Sequence, residues 1–313
     1  MFVIEKVTNN NDLLDHFHIS NENTSFKIFP NLGASLQELI FKEVSVIDGI
    51  EISEAGILDY QNINKSSLLF PFPGRIENGK YTYNQQSYSL ISNETNRLNA
   101  IHGLVYDQHF SVDSHEVDKH WAKLELSYTS DGKLEGFPFK FKLFITYLMT
   151  EDSLQLSFDV ENLGQVSFPF GMGWHPYFDA AQHRYFKSDN LQSSSISFSS
   201  EKHLVCDENQ IPKTTQDHIL KTTFDIEDQF FDDTFKLLNE QVIFKTEKYT
   251  LEMMLDNNAD TFLQLFTPSG RNSIAIEPMS CSPDAFNNED GLKVLLPEAT
   301  FHWQVDLNFK LNG

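Results

Sequence analysis

The sequence contains little cysteine. Its 313 residues include two cysteines, Cys206 and Cys281, which are far apart and match no spacing typical of a metal or redox site. The N-terminal segment "MFVIEKVTNNN" also lacks the basic and apolar regions of a secretion signal. Isolated thiols in such a chain favour reduced cysteines over a disulfide. We therefore expect a cytoplasmic protein.

Positive charge is scarce as well. The chain has 23 Lys and Arg against 45 Asp and Glu, which gives a formal net charge of -22. A field of that sign repels nucleic-acid phosphates and anionic lipid headgroups. No apolar run approaches the roughly 18 residues that a membrane span needs. We therefore expect neither nucleic acid nor a membrane as a partner, and composition does not distinguish a monomer from a homodimer.

Helical periodicity is absent over any three consecutive turns, so we expect few and short helices. Short runs instead alternate apolar and polar residues, as "SLQLSFDV" does from Ser153. Similar runs separated by turn residues are "AKLELSY", "KLFITYL", "YTLEMML", "FLQLF" and "FHWQVDLNF". This pattern predicts a mainly β fold of many antiparallel strands, forming one large domain over residues 1–313. The less regular stretch 179–240 is expected to hold long loops.

The segment "FGMGWHPYF", residues 170–178, places a histidine at the end of an apolar strand. In an extended chain Gly171, Gly173 and His175 share one face, opposite an aromatic core face. Pro176 favours an extended backbone before it and donates no hydrogen bond. The pattern predicts that His175 overlooks a vacant floor on which a ligand lies. The alternative is a core histidine beside glycines that mark a bulge.

The segment "SIAIEPMS" has the same design, with Glu277 on the small-residue face and Pro278 after it. A lone carboxylate at the end of an apolar strand is costly to bury unless it is paired, which favours a functional role for Glu277. The alternative is that the carboxylate emerges into solvent.

Two further segments carry candidate polar groups. In "NRLNAIHGL", Ala100 and His102 share a face of an extended segment and Gly103 follows. In "FPFPGRIENGKYTYN", Arg75 follows a Pro/Gly turn and precedes a hairpin-like stretch. A guanidinium held this way can fork onto a hydroxyl or a ring oxygen, although an arginine near a turn is most often solvated.

Five segments, in their order over residues 71–287, together resemble the aldose 1-epimerase (galactose mutarotase) family. The segments are "FPFPGRIENGKYTY", "NAIHGL", "GMGWHPYF", "IPKTT…FFDDTF" and "SIAIEPMSCSPDAFN". The resemblance implies a large antiparallel β-sandwich of the galactose mutarotase type. It also implies an isomerase that interconverts the α and β anomers of a free aldohexose by acid–base ring opening and closure. No cofactor and no metal are implied.

The same resemblance assigns roles to five residues. Glu277 would be the catalytic base and His175 the general acid. His102 and Arg75 would bind sugar hydroxyls and assist at the ring oxygen, so that His102 is both a catalytic and a substrate-binding candidate. Asp232 would bind the sugar.

Three positions leave details of the match open. Asp233 replaces Asp232 as the sugar-binding acid if the loop alignment shifts by one residue. Many family members have His-Gly-Gly and an Asn before the Arg-Ile pair, whereas this chain has Leu104 and Gly74 at those places. Both differences bear on which sugar is bound.

Three alternative functions compete with this interpretation. A hexose-6-phosphate 1-epimerase would need a basic cluster, and none is visible in the sequence. A non-catalytic carbohydrate-binding or sensor protein would not require an acid–base pair. A metal-dependent β-barrel isomerase could use "HFH" at residues 16–18, but no third ligand in a recognisable pattern accompanies it.

Overall fold

A computed structural model describes residues 1–94, 96–180, 191–256 and 260–312, with the backbone alone for residues 218–222. These residues form twenty-five strands. The strands are β1 (Val3–Val7), β2 (His16–Ser20), β3 (Thr24–Phe29), β4 (Ser35–Phe41), β5 (Val44–Ser45), β6 (Leu68–Leu69), β7 (Arg75–Ile76), β8 (Lys80–Tyr83), β9 (Gln86–Ser89), β10 (Ala100–Ile101), β11 (Ser111–Val117), β12 (Trp121–Asp131), β13 (Lys140–Thr150), β14 (Ser153–Asn162), β15 (Phe168–Phe170), β16 (Gly173–Trp174), β17 (Tyr177–Asp179), β18 (Ser195–Cys206), β19 (Pro212–Asp225), β20 (Asp232–Lys245), β21 (Tyr249–Leu255), β22 (Phe262–Phe266), β23 (Ser273–Met279), β24 (Lys293–Leu295) and β25 (Thr300–Leu311).

Helices are few and short, as predicted. Within the described residues there are two α-helices, α1 (Glu54–Ile63) and α2 (Ala285–Asn288), and three 3-10 helices, Asp12–Leu14, Glu77–Gly79 and Leu191–Ser193. Helix α1 begins after Ser53, whose hydroxyl accepts a hydrogen bond from the Gly56 amide at 3.1 Å, and ends at Asn64 in the left-handed region. No helix in the described ranges is long and apolar enough to cross a bilayer.

The strands form one large sheet and several small ones. The large sheet runs in the order β11-β12-β13-β14-β25-β21-β20-β22-β23-β16-β6. In addition, β17 pairs with β23, β18 pairs with β20, and β19 pairs with β18. A second sheet has the order β1-β2-β3-β4-β5, and three two-stranded sheets pair β7 with β10, β8 with β9 and β15 with β24. Every strand pair in the described residues is antiparallel, which confirms the predicted fold class.

The alternating runs form the strands that they predict. In β14 the apolar residues of "SLQLSFDV" are buried, and most of the residues between them are partly exposed. The main hydrophobic cluster contains buried side chains from Phe2 near one end of the chain to Phe309 near the other, including Trp174 and Trp303. Both cysteines are free thiols, as expected.

The prediction of long loops over residues 179–240 is wrong. Strands β18, β19 and β20 fill most of that stretch, with 12, 14 and 14 residues. Their alternation is hard to see because β18 changes register with both neighbours and β19 exposes a run of polar residues. Such bulges shift the inward and outward faces along a strand. Residues 181–190 of this stretch lie outside the described residues.

The predicted vacant floor beside His175 is also wrong. A Cβ atom on Gly171 would lie 2.2 Å from Sγ of Cys281, and one on Gly173 would lie 3.0 Å from the Pro278 carbonyl oxygen. The second position is also closed by Pro73, at 3.1 Å. These glycines therefore allow two segments of backbone to approach closely in the core. They do not form a ligand-binding surface.

This packing predicts that Gly173→Ala destabilises the protein. The added methyl group must displace a backbone carbonyl and a proline ring, and such overpacking typically costs about 1–3 kcal/mol. The measurement is the free energy of unfolding in urea. Gly270→Ala is the control, because its Cβ would meet its nearest atom, Nδ2 of Asn272, at an ordinary 3.6 Å. Equal stability of the two variants would contradict the packing described for Gly173.

Candidate active site

A cavity of about 400 Å³ lies where the ends of several strands meet. Its wall contains all five residues that the sequence singled out as the preferred site: Arg75, His102, His175, Asp232 and Glu277. They come from β7, the turn after β10, the junction of β16 and β17, the start of β20, and β23. The fold thus brings together residues that are up to two hundred positions apart in the chain.

Glu277 is held on the inner strand β23, which pairs with β22, β17 and β16. Its side chain is only 2% exposed, which excludes the alternative of a carboxylate in solvent. His175 lies between β16 and β17, where its amide donates to the Ser67 carbonyl at 3.0 Å and its carbonyl accepts from the Ser66 amide at 2.9 Å. Its ring stacks on Tyr177, with 5.1 Å between ring centroids. Both side chains are therefore fixed by their surroundings.

The two side chains face each other, with 3.3 Å between Nε2 of His175 and Oε1 of Glu277. His102 approaches edge-on, with 4.9 Å between the two imidazole centroids. Among the described residues, Oε2 of Glu277 and the Nδ1 atoms of both histidines are buried without a hydrogen-bond partner. Buried polar atoms are normally paired, so three unpaired atoms grouped beside one cavity distinguish this part of the core.

Burial shifts the pKa values of the pair in opposite directions. It raises the pKa of Glu277 well above 4.5, and it lowers the pKa of His175 to about 3. Both shifts in pKa arise mainly because the two side chains are removed from water. Desolvation disfavours a charge on either side chain, which favours the state in which the pair holds one shared proton.

His102 reaches the cavity by a turn and not by strand alternation with Ala100. Its φ is 62°, and its amide donates to the Gly74 carbonyl at 2.8 Å. Gly103 follows with φ of 79°, where a Cβ would lie 2.3 Å from the Phe70 carbonyl oxygen, so only glycine fits. Burial holds the pKa of His102 well below 6.5. The ring is therefore neutral and has one donor and one acceptor nitrogen.

The structure separates the two aspartates of "DDTF". Asp232 lies at the cavity mouth, where its Oδ1 accepts a hydrogen bond from Nε2 of Gln264 at 3.0 Å. Asp233 points to the other face of β20 and pairs with Nε2 of His203 at 2.8 Å. Partial burial raises the pKa of Asp232, and the nearby positive charge of Arg75 opposes that rise. Of the two, Asp232 can contact a ligand in the cavity.

Gly74 and Leu104, the two departures from the family pattern, differ in whether they line the cavity. Gly74 lines the cavity, with φ of 60° and its open face against Pro283. Leu104 is partly buried against the hydrophobic core, and its amide donates to the Phe70 carbonyl at 2.7 Å. Gly74 is therefore the departure that changes the cavity wall.

Several lining residues were missed by sequence reasoning. Glu94 and Arg97 join the cavity from the segment between β9 and β10, and Gln264 faces it from β22 directly opposite Glu277. Other polar groups on the wall are Gln61, Asn62, Asn64, Asn93, Asn96 and Gln210. The only available signal was the polar cluster "NETNRLN" just before the candidate His102.

The histidines of "HFH" have structural partners. Nδ1 of His16 lies 3.0 Å from the Leu14 carbonyl oxygen, and Nε2 of His18 lies 2.9 Å from Oγ of Ser25. Across the described ranges of the chain, no three His, Cys, Asp or Glu side chains are arranged to hold a metal ion. The metal-dependent alternative therefore has no assembled ligand set in these residues.

Comparison with known proteins identifies the family of this chain. Residues 15–308 match the Aldose 1-epimerase family. The uncharacterized protein YihR of Escherichia coli (strain K12) is 27% identical over 285 residues, which cover 86% of this chain and 84% of that protein.

Solved structures share the fold. A galactose mutarotase-like protein from Clostridium acetobutylicum superposes with a TM-score of 0.85 at 17% identity, covering 100% of this chain and 99% of its own. The galactose 1-epimerase from Lactobacillus acidophilus NCFM gives a TM-score of 0.76 at 19% identity, with 100% and 99% covered. The family match spans nearly the whole chain, and the fold agrees with it. The chain belongs to the aldose 1-epimerase family.

Proposed function

We propose that this protein is an aldose 1-epimerase that interconverts the α and β anomers of a free aldohexose, and that it acts as a single domain. One observation carries the proposal above all others. A buried carboxylate and a buried imidazole lie 3.3 Å apart at the base of a cavity, and each retains a polar atom without a partner in the described residues. An acid and a base in contact with one ligand are what anomer exchange requires.

The chemistry needs two proton transfers. Glu277 takes the proton of the anomeric hydroxyl while His175 donates a proton to the ring oxygen, and the bond between C1 and that oxygen breaks to give the open-chain aldehyde. Rotation about the C1–C2 bond then presents the other face of the carbonyl. Closure reverses both transfers, so the proton count of the protein is unchanged after one cycle.

Burial makes both groups stronger in these roles. A raised carboxyl pKa means that the carboxylate is a stronger base, and a lowered imidazole pKa means that the imidazolium is a stronger acid. The reactive form is the one in which His175 holds the shared proton. Desolvation makes this form the less populated one and also the more reactive one.

The other lining residues would orient the sugar. Arg75 can donate to the ring oxygen or a hydroxyl, and His102 can exchange a hydrogen bond through a ring nitrogen that faces the cavity. Asp232 at the mouth can accept hydrogen bonds from hydroxyls further from C1. These contacts would hold the ring with its anomeric carbon next to the Glu277–His175 pair.

The direct test is polarimetry with freshly dissolved anomers of glucose and galactose. A catalytic amount of protein should bring the optical rotation to equilibrium much faster than buffer does. A protein that binds these sugars but leaves the rate at the buffer value would be a binding or sensor protein on the same fold, and the proposed activity would be wrong.

We expect neutral aldohexoses to be better substrates than their 6-phosphates. The cavity does contain a second guanidinium, Arg97, which favours the phosphate alternative. However, Arg97 and Arg75 both already contact Oε1 of Glu94, which compensates part of their charge. The measurement is kcat/KM for glucose and for glucose 6-phosphate. A clear preference for the phosphate that weakens with added salt would reverse this assignment.

The shifted pKa values predict the acid side of the pH profile. The pair gains a second proton only as the pH falls through the pKa of His175, near 3, and not at the ordinary Glu value of 4.5. We therefore expect kcat/KM to stay level from about pH 6 down to about pH 4, since this parameter reports the free enzyme. A loss of half the activity near pH 4.5 would show that Glu277 titrates as an exposed carboxyl.

A further inference from the structure

Glu94 is a partly buried carboxylate that the proposed chemistry does not use, and it joins four hydrogen-bond donors at the cavity wall. Its Oε1 accepts from Nε and Nη2 of Arg75 at 3.0 and 2.9 Å and from Nη1 of Arg97 at 2.8 Å. Its Oε2 accepts from Nδ2 of Asn99 at 3.0 Å. The side chain is 12% exposed, so these contacts are largely shielded from water.

This arrangement fixes the orientation of both guanidinium groups. One edge of Arg75, Nε with Nη2, faces Glu94, and Nη1 has no hydrogen-bond partner among the described residues. Arg97 is held at two points, because its Nε also donates to the Glu208 carbonyl at 3.1 Å. Arginine provides five donors in a rigid plane, so fixing one edge determines where the free edge lies.

We propose that Glu94 is a positioning residue for anomer exchange, which holds Arg75 at the sugar and screens the charges of Arg75 and Arg97 from the Glu277–His175 pair. The proposal rests on the proposed function. It assigns the role to a residue that takes no part in the proposed proton transfers.

The screening has a defined direction. Burial raises the pKa of Glu277, Asp232 raises it further, and the positive charge of Arg75 lowers it. Removing the negative charge of Glu94 leaves the field of both arginines uncompensated, which lowers the pKa of Glu277 and makes it a weaker base. The ionisable groups that line the cavity around Glu277 are His175, His102, Tyr177, Tyr106, Arg75, Asp232, Cys206, Glu94 and Arg97.

Glu94→Gln tests the proposal, with Glu94→Asp as the charge-retaining variant. Glu208→Gln is the matched control, because it removes one negative charge from an exposed side chain whose backbone alone contacts Arg97. For Glu94→Gln we expect kcat/KM to fall by about 10- to 100-fold, the cost of a misplaced substrate contact. The alkaline limb of its pH profile, where the Glu277–His175 pair loses its shared proton, should move to lower pH. Glu94→Asp should restore the position of that limb, and Glu208→Gln should change neither quantity.

A second measurement needs no sugar. In protein with labelled arginine, the Nε–H signal of Arg75 should be sharp and slow to exchange in the wild type and in Glu208→Gln, and broadened or lost in Glu94→Gln. This signal tests the role of Glu94 independently of the proposed function. A wild type without anomer exchange would refute the proposed function. The Arg75 signal would still decide whether Glu94 orders the guanidinium.

Two results would overturn the proposal. One is an unchanged Arg75 signal in Glu94→Gln. The other is a Glu94→Gln protein with a lower melting temperature but an unshifted pH profile and a normal kcat/KM, which would show that Glu94 only fastens the segment between β9 and β10 to β7.

Discussion

Glu277→Gln is expected to lower the rate of anomer exchange at saturating sugar by about 10²–10⁴-fold, the usual contribution of general acid–base catalysis. Glutamine keeps the size of the side chain and can still hydrogen-bond a hydroxyl, but it cannot take a proton. The affinity for sugar, measured by calorimetry, should therefore change only modestly. A loss confined to turnover is the pattern of an interaction made mainly in the transition state.

The same substitution should not destabilise the fold at neutral pH. The pKa of Glu277 is higher in the folded protein than its ordinary value of 4.5, so the carboxyl lowers the stability of the folded state as the pH rises above that value. Glutamine removes this cost, and we expect the melting temperature of Glu277→Gln at pH 8 to equal or exceed that of the wild type. At pH 4 no gain should remain.

Glu252→Gln is the control for both readouts, because Glu252 lies on β21 outside the cavity and contacts the Gln241 side chain. It should leave turnover unchanged. A Glu277→Gln protein with near-normal exchange would place the base elsewhere, and β23 would then be a structural strand only.

His175→Gln is the second substitution for which we expect a large effect, again about 10²–10⁴-fold in turnover. Glutamine places an amide nitrogen near the position of Nε2, where it can contact Oε1 of Glu277 but cannot deliver a proton to the ring oxygen. The measurement is single-turnover anomer exchange followed by NMR. His302→Gln is the control, because His302 pairs with Asp159 on an exposed strand face far from the cavity wall.

The two active-site substitutions should not be additive. If Glu277 and His175 exchange one proton as a unit, removing either disables the whole transfer, and the double variant should be about as slow as each single one. Losses that multiply in the double variant would mean that the two residues act in separate steps, which contradicts a shared proton.

The sequence pointed to residues that share one cavity because strand periodicity and proline are local signals. Alternation placed Glu277 at the end of an apolar strand, where a buried carboxylate needs a purpose, and the structure buries it beside His175. The order of motifs then brought in Arg75, His102 and Asp232, which all line the same cavity. Their catalytic and binding roles stay predictions.

The remaining features depend on contacts between distant segments, which a single sequence does not reveal. The surface over Gly171 and Gly173 looked vacant because Cys281 and Pro73, which close it, are far away in the chain. The lowered pKa of His175 likewise depends on burial by residues from many parts of the chain.

The contribution of Glu94 was hidden for a similar reason. It is one of 45 acidic residues in the chain, and nothing in its neighbourhood separates it from a solvated carboxylate. Its contact with Arg75 joins positions 19 residues apart, and its contact with Arg97 is an ion pair of a kind that is common on protein surfaces. Only the low exposure of the side chain distinguishes it.

The most direct test of the central claim is exchange NMR on glucose or galactose at saturating concentration. The wild type and Glu277→Gln are compared, and the binding of sugar to each protein is measured by calorimetry. We predict rapid interconversion of the anomers with the wild type, and a rate about 10²–10⁴-fold lower with Glu277→Gln at similar affinity. A wild type that binds sugar yet exchanges the anomers no faster than buffer would contradict the claim that the buried Glu277–His175 pair catalyses ring opening.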